Sequence, residues 1–370
     1  MHSATSNFKS ELDWARTHMR RVSNAIASLP DLSGTRIACC THLDLKMVPA
    51  FEGLIRRGAS LYLTTCNPHT VQEEVVHHLS TQATVDAWRG MDHDSWQKSL
   101  RSAVTWSPSH LCEMGAELTR EAHEPNAKPP QIRAGVEATS SGISLLQSID
   151  LQFPVFNWNN VPVKEHLHNR RMVGISTWHT FFERTRLTLH EKRVIVLGYG
   201  AVGQSVADSA HAFGGNVCIV ERDAGRALEA KYFGWDVLPL ETALPQGDVI
   251  VTATGAPAVL GPKQFEWIKS GAFLLNVGHR NDEIDTAALL SYPHRSVLPF
   301  VQELDINGRI IYLFAGGSMA NLAAGYGDSL NAFDLTLAIM IAAIGYAVSS
   351  ADKYKPAVHD LPKNVWESIL

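Results

Sequence analysis

The stretch that most constrains the fold is a short apolar strand that runs into a glycine-rich turn. Arg193–Leu197 is mostly β-branched and apolar, Gly198, Gly200 and Gly203 follow with Gly-x-Gly-x-x-Gly spacing, and a helical pattern continues over Gln204–Phe213. In such a segment the first glycine permits a tight turn, the second lets the backbone approach phosphates, and the third lets helix and strand pack closely. The N–H groups at the start of the helix favour an anion. The stretch therefore predicts a dinucleotide-binding fold.

A carboxylate further along the chain indicates which dinucleotide is bound. The next predicted strand, Asn216–Val220, ends at Glu221, and a carboxylate about 20 residues beyond the glycines accepts hydrogen bonds from ribose hydroxyls. Glu221 would repel a 2′-phosphate, although Arg222 follows it directly. The pattern predicts NAD rather than NADP. The contacts expected in this segment are Gly198, Gly200, Ala201, Val202, Gly203 and Glu221.

Composition and charge exclude several classes of partner. The 370 residues are 45% hydrophobic and 19% charged, with a net charge of −5 and a pI near 6.4. No basic stripe is present, so nucleic acid is not an expected partner. The N-terminus shows no apolar run and no window is expected to span a bilayer, since Ala338–Val348, the most apolar helix candidate, is short. We expect a cytoplasmic protein without a membrane partner.

The cysteines point to buried free thiols. Cys39, Cys40, Cys66, Cys112 and Cys218 lack any Cys-x-x-Cys spacing and mostly lie in apolar, strand-like contexts. This pattern favours a reducing compartment over a disulfide framework. No zinc or iron–sulfur ligand pattern is present, so no metal site is predicted.

An α/β domain precedes the glycine-rich turn. An amphipathic helix is predicted over 8–29, followed by strands at Thr35–Cys40 and Ser60–Thr64 with a helix between them. Ligands of open α/β sheets bind beyond the carboxyl ends of the strands. His42 and Asn67 follow the two strands, so both are expected at a pocket.

Two polar segments lie farther along this domain. Residues 124–134 form a loop by composition, and Gly135–Gly142 is small and hydroxyl-rich before a helical pattern. The hydroxyls of the second segment suit either helix capping or phosphate binding. A later polar cluster opens another helix and consists of Lys164, His166, His168 and Asn169.

The strands after the glycine-rich turn complete a second α/β domain. Asp248–Thr252 and Ala272–Val277 are followed by the turns Thr254-Gly255 and Gly278-His279, at the edge where the nicotinamide half should lie. The expected fold class is α/β with two domains, each a doubly wound, mostly parallel sheet, and the dinucleotide-binding domain is inserted into the substrate domain. The expected ranges are 1–175 for the first part of the substrate domain, 176–325 for the dinucleotide-binding domain, 326–350 for a return helix and 351–370 for a short tail.

Several segments in a fixed order resemble one enzyme family. Asn276–Asp285 is similar to the N-[IV]-G-H-x-x-x-E-I-D signature of S-adenosylhomocysteine hydrolases, and the resemblance extends from about Ser10 to about Pro362. Further similar segments are Cys66-Asn67-Pro68-x-x-x-Gln72, Gly174-x-Ser176-Thr177-Trp178 and Asn321-Leu322-Ala323-Ala324. On these motifs the chain is identified as a divergent member of the family.

The resemblance implies a reaction in which NAD is recycled within each turnover. In the family a nucleoside 3′-hydroxyl is oxidised to a ketone, which acidifies the C4′ proton. Removal of that proton expels the 5′ substituent, water adds, and the ketone is reduced again. Without the ketone the C4′ proton is too weak an acid for any side chain to remove, so cofactor and base do the difficult chemistry. A purine nucleoside substrate and a homodimer or homotetramer are also implied.

Matching positions carry most of the oxidising apparatus. Lys164 matches the lysine that takes the 3′-hydroxyl proton, and a lysine acts as a base only where burial or cationic neighbours, here His166 and His168, lower its pKa. His42 and His279 match histidines that flank the nucleoside and suit proton transfer near neutral pH. The expected catalytic residues are His42, Lys164, His168, Asn169 and His279.

The cofactor and substrate contacts carry over in the same way. Thr139, Ser140 and Ser141 match three NAD-contacting threonines, so the resemblance favours phosphate binding over capping for this segment. The expected cofactor contacts beyond the glycine-rich turn and Glu221 are Thr139, Ser140, Ser141, Asn169, Thr254, Gly255, Asn276 and Asn321. The expected substrate contacts are His42, Asp44, Lys46, Gln72, Met114, Ala138, Lys164, His168, His279, Gly327 and Asp328.

Five substrate positions depart from the family pattern. Met114 replaces an aspartate that assists at the 5′ position, and Ala138 replaces a glutamate that holds the ribose 2′-hydroxyl. His168 replaces an aspartate that partners the lysine, Lys46 a glutamate that reads adenine, and Asp328 the histidine of a G-H-P-S turn. Each lost carboxylate contact costs ~2–4 kcal/mol of recognition. Adenosylhomocysteine is therefore not expected to bind through the family's usual contacts.

These departures leave four functional hypotheses. In the first, the oxidation–elimination–reduction cycle acts on a purine nucleoside substituted at C1′, for which the space at Ala138 is suited. If water does not add again, the product is a 4′,5′-unsaturated sugar, and the enzyme is a nucleoside dehydratase of antibiotic-type biosynthesis. The others are a genuine adenosylhomocysteine hydrolase, an NAD-dependent nucleoside oxidoreductase or epimerase, and a non-catalytic NAD- and nucleoside-binding paralogue. Retention of His42, Lys164 and His279 speaks against the last.

The chain also ends early relative to the family pattern. The family tail that carries a lysine and a tyrosine into the NAD site of a neighbouring protomer has no counterpart before Leu370. The resemblance therefore does not carry over the family's tight retention of NAD.

Overall fold

Two compact units make up the chain. The computed structural model describes residues 4–125 and 132–370. The first unit is made of two segments, the chain up to Lys164 and Leu330–Leu370. The second unit is the single segment Glu165–Ser329. Each unit is built on a sheet of its own.

The regular elements alternate between strands and helices over most of the chain. The strands are β1 (Arg36–Thr41), β2 (Ser60–Thr65), β3 (Thr84–Val85), β4 (His110–Glu113), β5 (Ala134–Glu137), β6 (Val155–Asn157), β7 (Arg193–Leu197), β8 (Asn216–Val220), β9 (Asp236–Val237), β10 (Val249–Thr252), β11 (Phe273–Asn276), β12 (His294–Leu298), β13 (Val301–Ile306), β14 (Arg309–Phe314) and β15 (Val358–Asp360). The α-helices are α1 (Ala4–His18), α2 (Arg20–Ala27), α3 (Val48–Arg56), α4 (Glu73–Leu79), α5 (His93–Thr105), α6 (Glu117–Ala122), α7 (Ser140–Leu146), α8 (Val173–Thr185), α9 (Ala201–Ala212), α10 (Ala224–Tyr232), α11 (Leu240–Ala243), α12 (Pro262–Phe265), α13 (Thr286–Leu289), α14 (Ala320–Ala323), α15 (Leu330–Ser350) and α16 (Lys363–Glu367). A π-helix, Lys164–Met172, runs into α8.

The first sheet has seven strands in the order β15-β6-β5-β4-β1-β2-β3, and its pairings are parallel. The order runs outward in opposite directions from β1 and β4, so the topological switch point lies between these strands. Cys40 pairs with Glu113, and Glu113 pairs with Glu137. The residues that follow β1, β4 and β5 therefore meet at one edge, which is where ligands of open α/β sheets bind.

The second sheet has eight strands in the order β12-β13-β14-β11-β10-β7-β8-β9. The strands from β14 to β9 are parallel, and β13 and β12 extend the sheet with antiparallel pairings. Here the switch point lies between β7 and β10, where the Ala253 N–H donates to the Leu197 carbonyl at 2.9 Å. The predicted α/β class with two doubly wound, mostly parallel sheets is confirmed.

Helix α15 lies in the core of the first unit. Leu337, Ile341 and Ile344 on this helix are at most 2% exposed. Within the described residues, Leu330–Lys353 is long and apolar enough to cross a membrane by length and composition, contrary to the sequence expectation, yet 61% of the tested window is buried. Packing in the core accounts for this apolar composition. The five cysteines are likewise buried and free, as predicted.

The local structure departs from the sequence pattern in three places. The helix expected over 8–29 is two helices, because Met19 leaves helical geometry (φ −112°, ψ 63°) between α1 and α2. Gly135–Gly142 does not simply lead into a helix, since β5 covers its first half and pairs on both sides. Residues 351–370, expected as a tail, contribute β15 and α16. Tertiary pairing overrides weak local propensity in β5 and β15. Part of the expected loop at 124–134 lies outside the described residues.

Candidate active site

His42 lies at the carboxyl edge of the first sheet, directly after β1, and is buried. Its Nδ1 lies 2.8 Å from the Thr70 hydroxyl oxygen. That hydroxyl donates its proton to the Asn67 carbonyl oxygen at 2.8 Å. Because Thr70 has only one proton to give, its oxygen accepts from His42, which places the ring proton on Nδ1. In the neutral ring Nε2 is then the basic nitrogen.

Asp44 and Lys46 form a buried ion pair in the turn after β1. Lys46 Nζ lies 2.8 Å from Asp44 Oδ2, and both side chains are 5% exposed. Gln72 is engaged in the same turn, since its Oε1 accepts the N–H of Leu45 at 3.0 Å. These three predicted substrate contacts hold the turn together. Removing one member of the ion pair would leave an uncompensated buried charge and lower the free energy of unfolding by about 3–5 kcal/mol.

Two buried glutamates, Glu113 at the end of β4 and Glu137 at the end of β5, organise the neighbouring turns. Their carboxylates accept backbone N–H groups at 2.6–3.1 Å, Glu113 from Leu118 and Thr119 and Glu137 from Gly115, Ala116 and Thr139. Both carboxylates are thus turned toward the backbone. The next residues along the chain, Met114 and Ala138, are buried and apolar. The two turns therefore offer no further carboxylate at the predicted substrate positions.

Burial raises the pKa of both glutamates, to about 8 for Glu113, where repulsion from Glu137 adds to desolvation, and to about 7 for Glu137. Both titrate near 4.5 when unfolded, so between these values the folded state binds more protons and stability falls as the pH rises. Burial lowers the pKa of His110 to about 4. For this group the free energy of unfolding rises with pH, but only below about pH 6.5.

From pH 6.5 to 8 the free energy of unfolding is therefore expected to fall, by up to about 1.4 kcal/mol per pH unit from Glu113. Urea denaturation at the two ends of this window measures the fall. Glu113→Gln has no charge to gain and should change less over the window, while the exposed Glu74→Gln should behave as wild type. Equal pH dependence of Glu113→Gln and wild type would contradict the assignment.

Lys164, the last residue of the first unit, is held by the polar segment after β6. Its side chain is buried, and Nζ donates to Asn159 Oδ1 at 2.8 Å and lies 5.6 Å from the centre of the Trp158 ring. Asn159 Nδ2 in turn donates to Ser140 Oγ at 2.9 Å. Asn159 thus links the predicted base to a predicted cofactor contact.

Lys164 is also the first residue of the π-helix. Because π-helical hydrogen bonds join residues five apart, Lys164, His168 and Asn169 lie near one face. His168 is buried and its Nε2 lies 3.0 Å from Asp328 Oδ2, whereas His166 is exposed. Of the two expected cationic neighbours of Lys164, His166 therefore faces solvent and His168 is paired with an acid. Their effect on Lys164 stays a prediction.

The hydroxyl-rich segment before α7 caps that helix. Thr139 Oγ1 accepts the N–H of Gly142 at 2.9 Å and donates to Glu137 at 2.7 Å. Ser141 Oγ lies 3.3 Å from the same hydroxyl. Of the two alternatives that the sequence left open, capping is the geometry observed for Thr139. Contact of Ser140 and Ser141 with the cofactor stays a prediction.

The glycine-rich turn of the second unit has the geometry that a dinucleotide needs. Gly198 has a φ of 97°, and a Cβ at Gly203 would overlap the Gly198 carbonyl oxygen. A Cβ at Gly200 would meet only Arg226 Nη1, at 3.7 Å. Gly200 is the N-cap of α9, whose first turn contains Ala201–Val202. A ligand phosphate can therefore approach the free N–H groups of the helix.

Glu221 lies beside this turn at the end of β8. Its carboxylate accepts the N–H of Tyr199 at 2.7 Å and those of Arg222 and Asp223 at 2.7 and 2.8 Å. The side chain is only partly buried. These bonds fix a carboxylate next to the glycine-rich turn, as contact with an adenosine ribose requires.

A third glutamate, Glu283, is fully buried and holds the turn after β10. It accepts the N–H and hydroxyl of Thr254 at 2.8 and 2.7 Å and the N–H of Gly255 at 2.9 Å. Burial raises the pKa of this carboxyl group. A Cβ at Gly278 would overlap the same carboxylate. Glu283 therefore fixes the turns after β10 and β11 against one another.

Asn276 shapes the turn that carries His279. Its Oδ1 accepts the N–H of Gly278 at 3.0 Å, and its Nδ2 donates to the Arg280 carbonyl at 2.7 Å. His279 is partly buried in the middle of this turn. Both ends of the Asn276 amide are thus used by the turn, and a direct contact with the cofactor stays a prediction.

Asn321 in α14 has a buried acceptor. Its Nδ2 donates to Ser176 Oγ at 3.3 Å, whereas its Oδ1 has no partner among the described residues. Its backbone carbonyl accepts the N–H of Gly327 at 2.8 Å, which places Gly327 and Asp328 beside α14. A buried amide oxygen without a donor is uncommon in folded proteins. An N–H group of a ligand would satisfy it.

These features fit a bound NAD. The N–H groups at the start of α9 suit the pyrophosphate, Glu221 suits a ribose diol, and the carboxamide N–H₂ of nicotinamide suits the Asn321 oxygen.

Sequence patterns missed several of the residues that build these networks. Asn159 belongs to an asparagine-rich stretch at the carboxyl end of β6, and recognising that strand end in the sequence would have identified it. Ser176 lies in a motif but carried no predicted role. Glu283 lies in the Asn276–Asp285 motif but likewise carried no predicted role. Glu137 gave no signal, because a strand-end glutamate that turns inward has the same sequence pattern as a solvated one.

Comparisons with known proteins find similar sequences over most of the chain. The family profile "S-adenosyl-L-homocysteine hydrolase" matches residues 9–150, and the profile "S-adenosyl-L-homocysteine hydrolase, NAD binding domain" matches residues 178–327. An S-inosyl-L-homocysteine hydrolase of Methanopyrus kandleri is 29% identical over 96% of this chain and 87% of that protein. The adenosylhomocysteinases of Aeropyrum pernix and Aquifex aeolicus are each 31% identical, over 94% and 97% of this chain and 87% and 89% of those proteins. Among solved structures, a dipicolinate synthase component of Bacillus halodurans aligns with a TM-score of 0.48 at 14% identity, over 84% of this chain and 99% of that one.

Proposed function

Because the chain belongs to the S-adenosyl-L-homocysteine hydrolase family and carries its NAD-binding domain, we propose that it is an NAD-dependent nucleoside dehydratase. The substrate is an adenosine-like nucleoside with an additional substituent at C1′. The enzyme oxidises the 3′-type hydroxyl, removes the C4′ proton, eliminates the 5′-hydroxyl as water and reduces the ketone again. Such a step fits nucleoside-antibiotic biosynthesis.

One observation carries the dehydratase proposal. The carboxylates at the ends of β4 and β5 are bound to backbone N–H groups, and the adjacent predicted substrate positions hold Met114 and Ala138. A ribose 2′-hydroxyl finds no carboxylate acceptor there, and a thioether-linked 5′ substituent finds no acid. The methyl side chain of Ala138 instead leaves volume for a hydroxymethyl group at C1′. The small 5′-hydroxyl is then the group that leaves.

Each proton in the proposed cycle has a carrier. Lys164 Nζ, unprotonated and held by Asn159, takes the proton of the hydroxyl that is oxidised and returns it when the ketone is reduced. His42 Nε2 takes the C4′ proton as the C5′–O bond breaks. The departing hydroxide receives a proton from His279, so one water leaves and a C4′–C5′ double bond remains. Solvent exchange restores the two histidines.

The cofactor supplies the hydride acceptor and donor of this cycle when it is bound. The residues proposed to hold it are those of the glycine-rich turn with Glu221, the turn at Thr254 and Gly255, and Asn321, with Ser140, Ser141, Asn169 and Asn276 as further contacts. We further propose a homodimer or homotetramer in the cytoplasm.

A second candidate is hydrolysis of S-adenosyl- or S-inosyl-homocysteine. The names of the relatives from Methanopyrus kandleri and Aeropyrum pernix favour it. In that case the 5′ substituent is homocysteine joined through a thioether. It leaves as the thiol, and water adds before the final reduction. The same residues carry both reactions as far as the elimination, so only the leaving group and the fate of the alkene separate them.

A panel of nucleosides distinguishes the candidates. The NAD-loaded protein is incubated with a C1′-hydroxymethyl adenine nucleoside, adenosine, S-adenosylhomocysteine and S-inosylhomocysteine, and NADH absorbance and product masses are followed. We expect transient NADH and loss of one water from the C1′-substituted nucleoside. Homocysteine release at a rate above the dehydration would sink the dehydratase proposal. Absence of NADH with every nucleoside would sink both candidates.

A further inference from the structure

Four buried side chains of the second unit form one chain of hydrogen bonds. His168 Nε2 lies 3.0 Å from Asp328 Oδ2, the Ser176 hydroxyl donates to Asp328 Oδ1 at 2.8 Å, and Asn321 Nδ2 donates to Ser176 Oγ at 3.3 Å. The four residues are at most 9% exposed. His168 lies just after the chain enters this unit and Asp328 just before the chain leaves it, so the bonds join the two ends of the unit's own segment.

The direction of the bonds fixes the Asn321 amide. Asp328 as a carboxylate only accepts, so both His168 and Ser176 donate to it. Ser176 also lies 3.0 Å from the Val173 carbonyl, but a carboxylate is the stronger acceptor. With its proton committed, the Ser176 oxygen accepts from Asn321 Nδ2. The Asn321 Oδ1 is therefore turned the other way, and this is the buried oxygen without a partner among the described residues.

We propose that His168 and Asp328 are positioning residues that act through Ser176 on Asn321, so that the Asn321 oxygen faces the carboxamide N–H of NAD. This assignment rests on the proposed NAD-dependent function. His168 is then a positioning residue for the Asn321 amide. The two positions also carry histidine and aspartate in exchanged places relative to the family pattern. The exchange preserves one acid and one base, so the two departures are a single change.

Reversal of the pair tests this proposal. The full-length protein is stripped of NAD and titrated with NAD and with its 3-acetylpyridine analogue, in which a methyl group replaces the carboxamide N–H₂. Wild type is expected to prefer NAD by at least about tenfold, since a site built to bond an N–H rejects the analogue. His168→Asp and Asp328→His each leave two like groups facing one another. In these variants the ratio of the affinity for NAD to the affinity for the analogue should fall to about one. The double variant His168→Asp/Asp328→His should recover most of it.

Ser176→Ala and Thr177→Val form a matched pair on α8. Ser176→Ala interrupts the series of hydrogen bonds between Asp328 and Asn321. This variant should lose the preference for NAD although the His168–Asp328 pair is intact. Thr177 is buried, and among the residues that the structure describes its hydroxyl donates to the Val173 carbonyl of its own helix. Thr177→Val should therefore keep the preference.

The outcomes separate this inference from the proposed function. Equal affinity of wild type for both dinucleotides overturns the inference. An equal loss of affinity for both dinucleotides in Ser176→Ala also overturns it, because such a loss marks a purely structural role. A double variant no better than the single ones also overturns it. A normal NAD preference together with no NADH from any nucleoside contradicts the proposed function alone. Thermal unfolding of every variant confirms that each is folded.

Discussion

Lys164→Ala is expected to abolish reduction of bound NAD by a nucleoside while leaving NAD binding unchanged. The loss should be about 10²–10⁴-fold, the range for removal of a positioned general base. Lys164 is buried, and Asn159 holds its Nζ at 2.8 Å. No water molecule that replaces the amino group would be fixed in the same way. Single-turnover NADH formation, measured beside NAD titration, gives both quantities.

Two controls separate proton transfer from charge and from folding. Lys164→Arg keeps a cation that can donate to Asn159, but a guanidinium does not lose its proton in proteins, so this variant should be as inactive as the alanine variant. Lys98→Ala, at an exposed lysine of the same unit, should be fully active. If Lys164→Ala still reduces NAD at the wild-type rate, the base has been assigned wrongly. Loss of NAD binding by Lys164→Ala would indicate a structural role instead.

Gly203→Ala should remove both NAD binding and part of the stability of the second unit. A Cβ there would overlap the Gly198 carbonyl oxygen, so α9 must move away from β7. Overpacking of this kind costs about 1–3 kcal/mol. The expected result is a lower melting temperature and no measurable NAD affinity.

Gly200→Ala is the informative contrast in the same turn. The added Cβ meets only Arg226 Nη1 at 3.7 Å, and the backbone φ of −72° suits alanine. The melting temperature should therefore stay at the wild-type value, while the methyl group stands where the pyrophosphate would approach and affinity falls by at least about tenfold, or ~1.4 kcal/mol. Calorimetric titration and thermal unfolding of the two variants measure both effects. Unchanged NAD affinity in Gly200→Ala would place the dinucleotide elsewhere.

The predictions that rested on strict local constraints agree with the structure. The glycine-rich turn allows few geometries, so the Gly198–Gly203 segment predicted its strand, turn and helix, and the family membership and NAD cofactor are confirmed by the comparisons. Strands β5 and β15 were missed because four- and three-residue segments carry little periodicity. Their neighbours in the sheet, which the pattern does not contain, decide their conformation.

For the candidate site, the sequence indicated which residues to consider but not their hydrogen-bond and ion-pair partners. Thr139 was matched to the cofactor, yet its hydroxyl caps α7. His168 was matched to Lys164, and the structure pairs it with Asp328, 160 positions away in the chain. Such pairings depend on where the fold brings distant segments together, and no spacing rule within one segment contains that information. The predicted roles of the site residues remain proposals until the variants are measured.

Three buried glutamates separate two tasks that often fall on one residue. Glu113, Glu137 and Glu283 determine the course of the backbone by collecting N–H groups, while the side chains next to them are left to vary. Evolution can therefore replace the residue at position 114 or 138 and redirect the enzyme to a new molecule without rebuilding the turn. A protein engineer can use the same division, since Ala138→Glu and Met114→Asp alter the chemistry of two turns whose shape is encoded elsewhere.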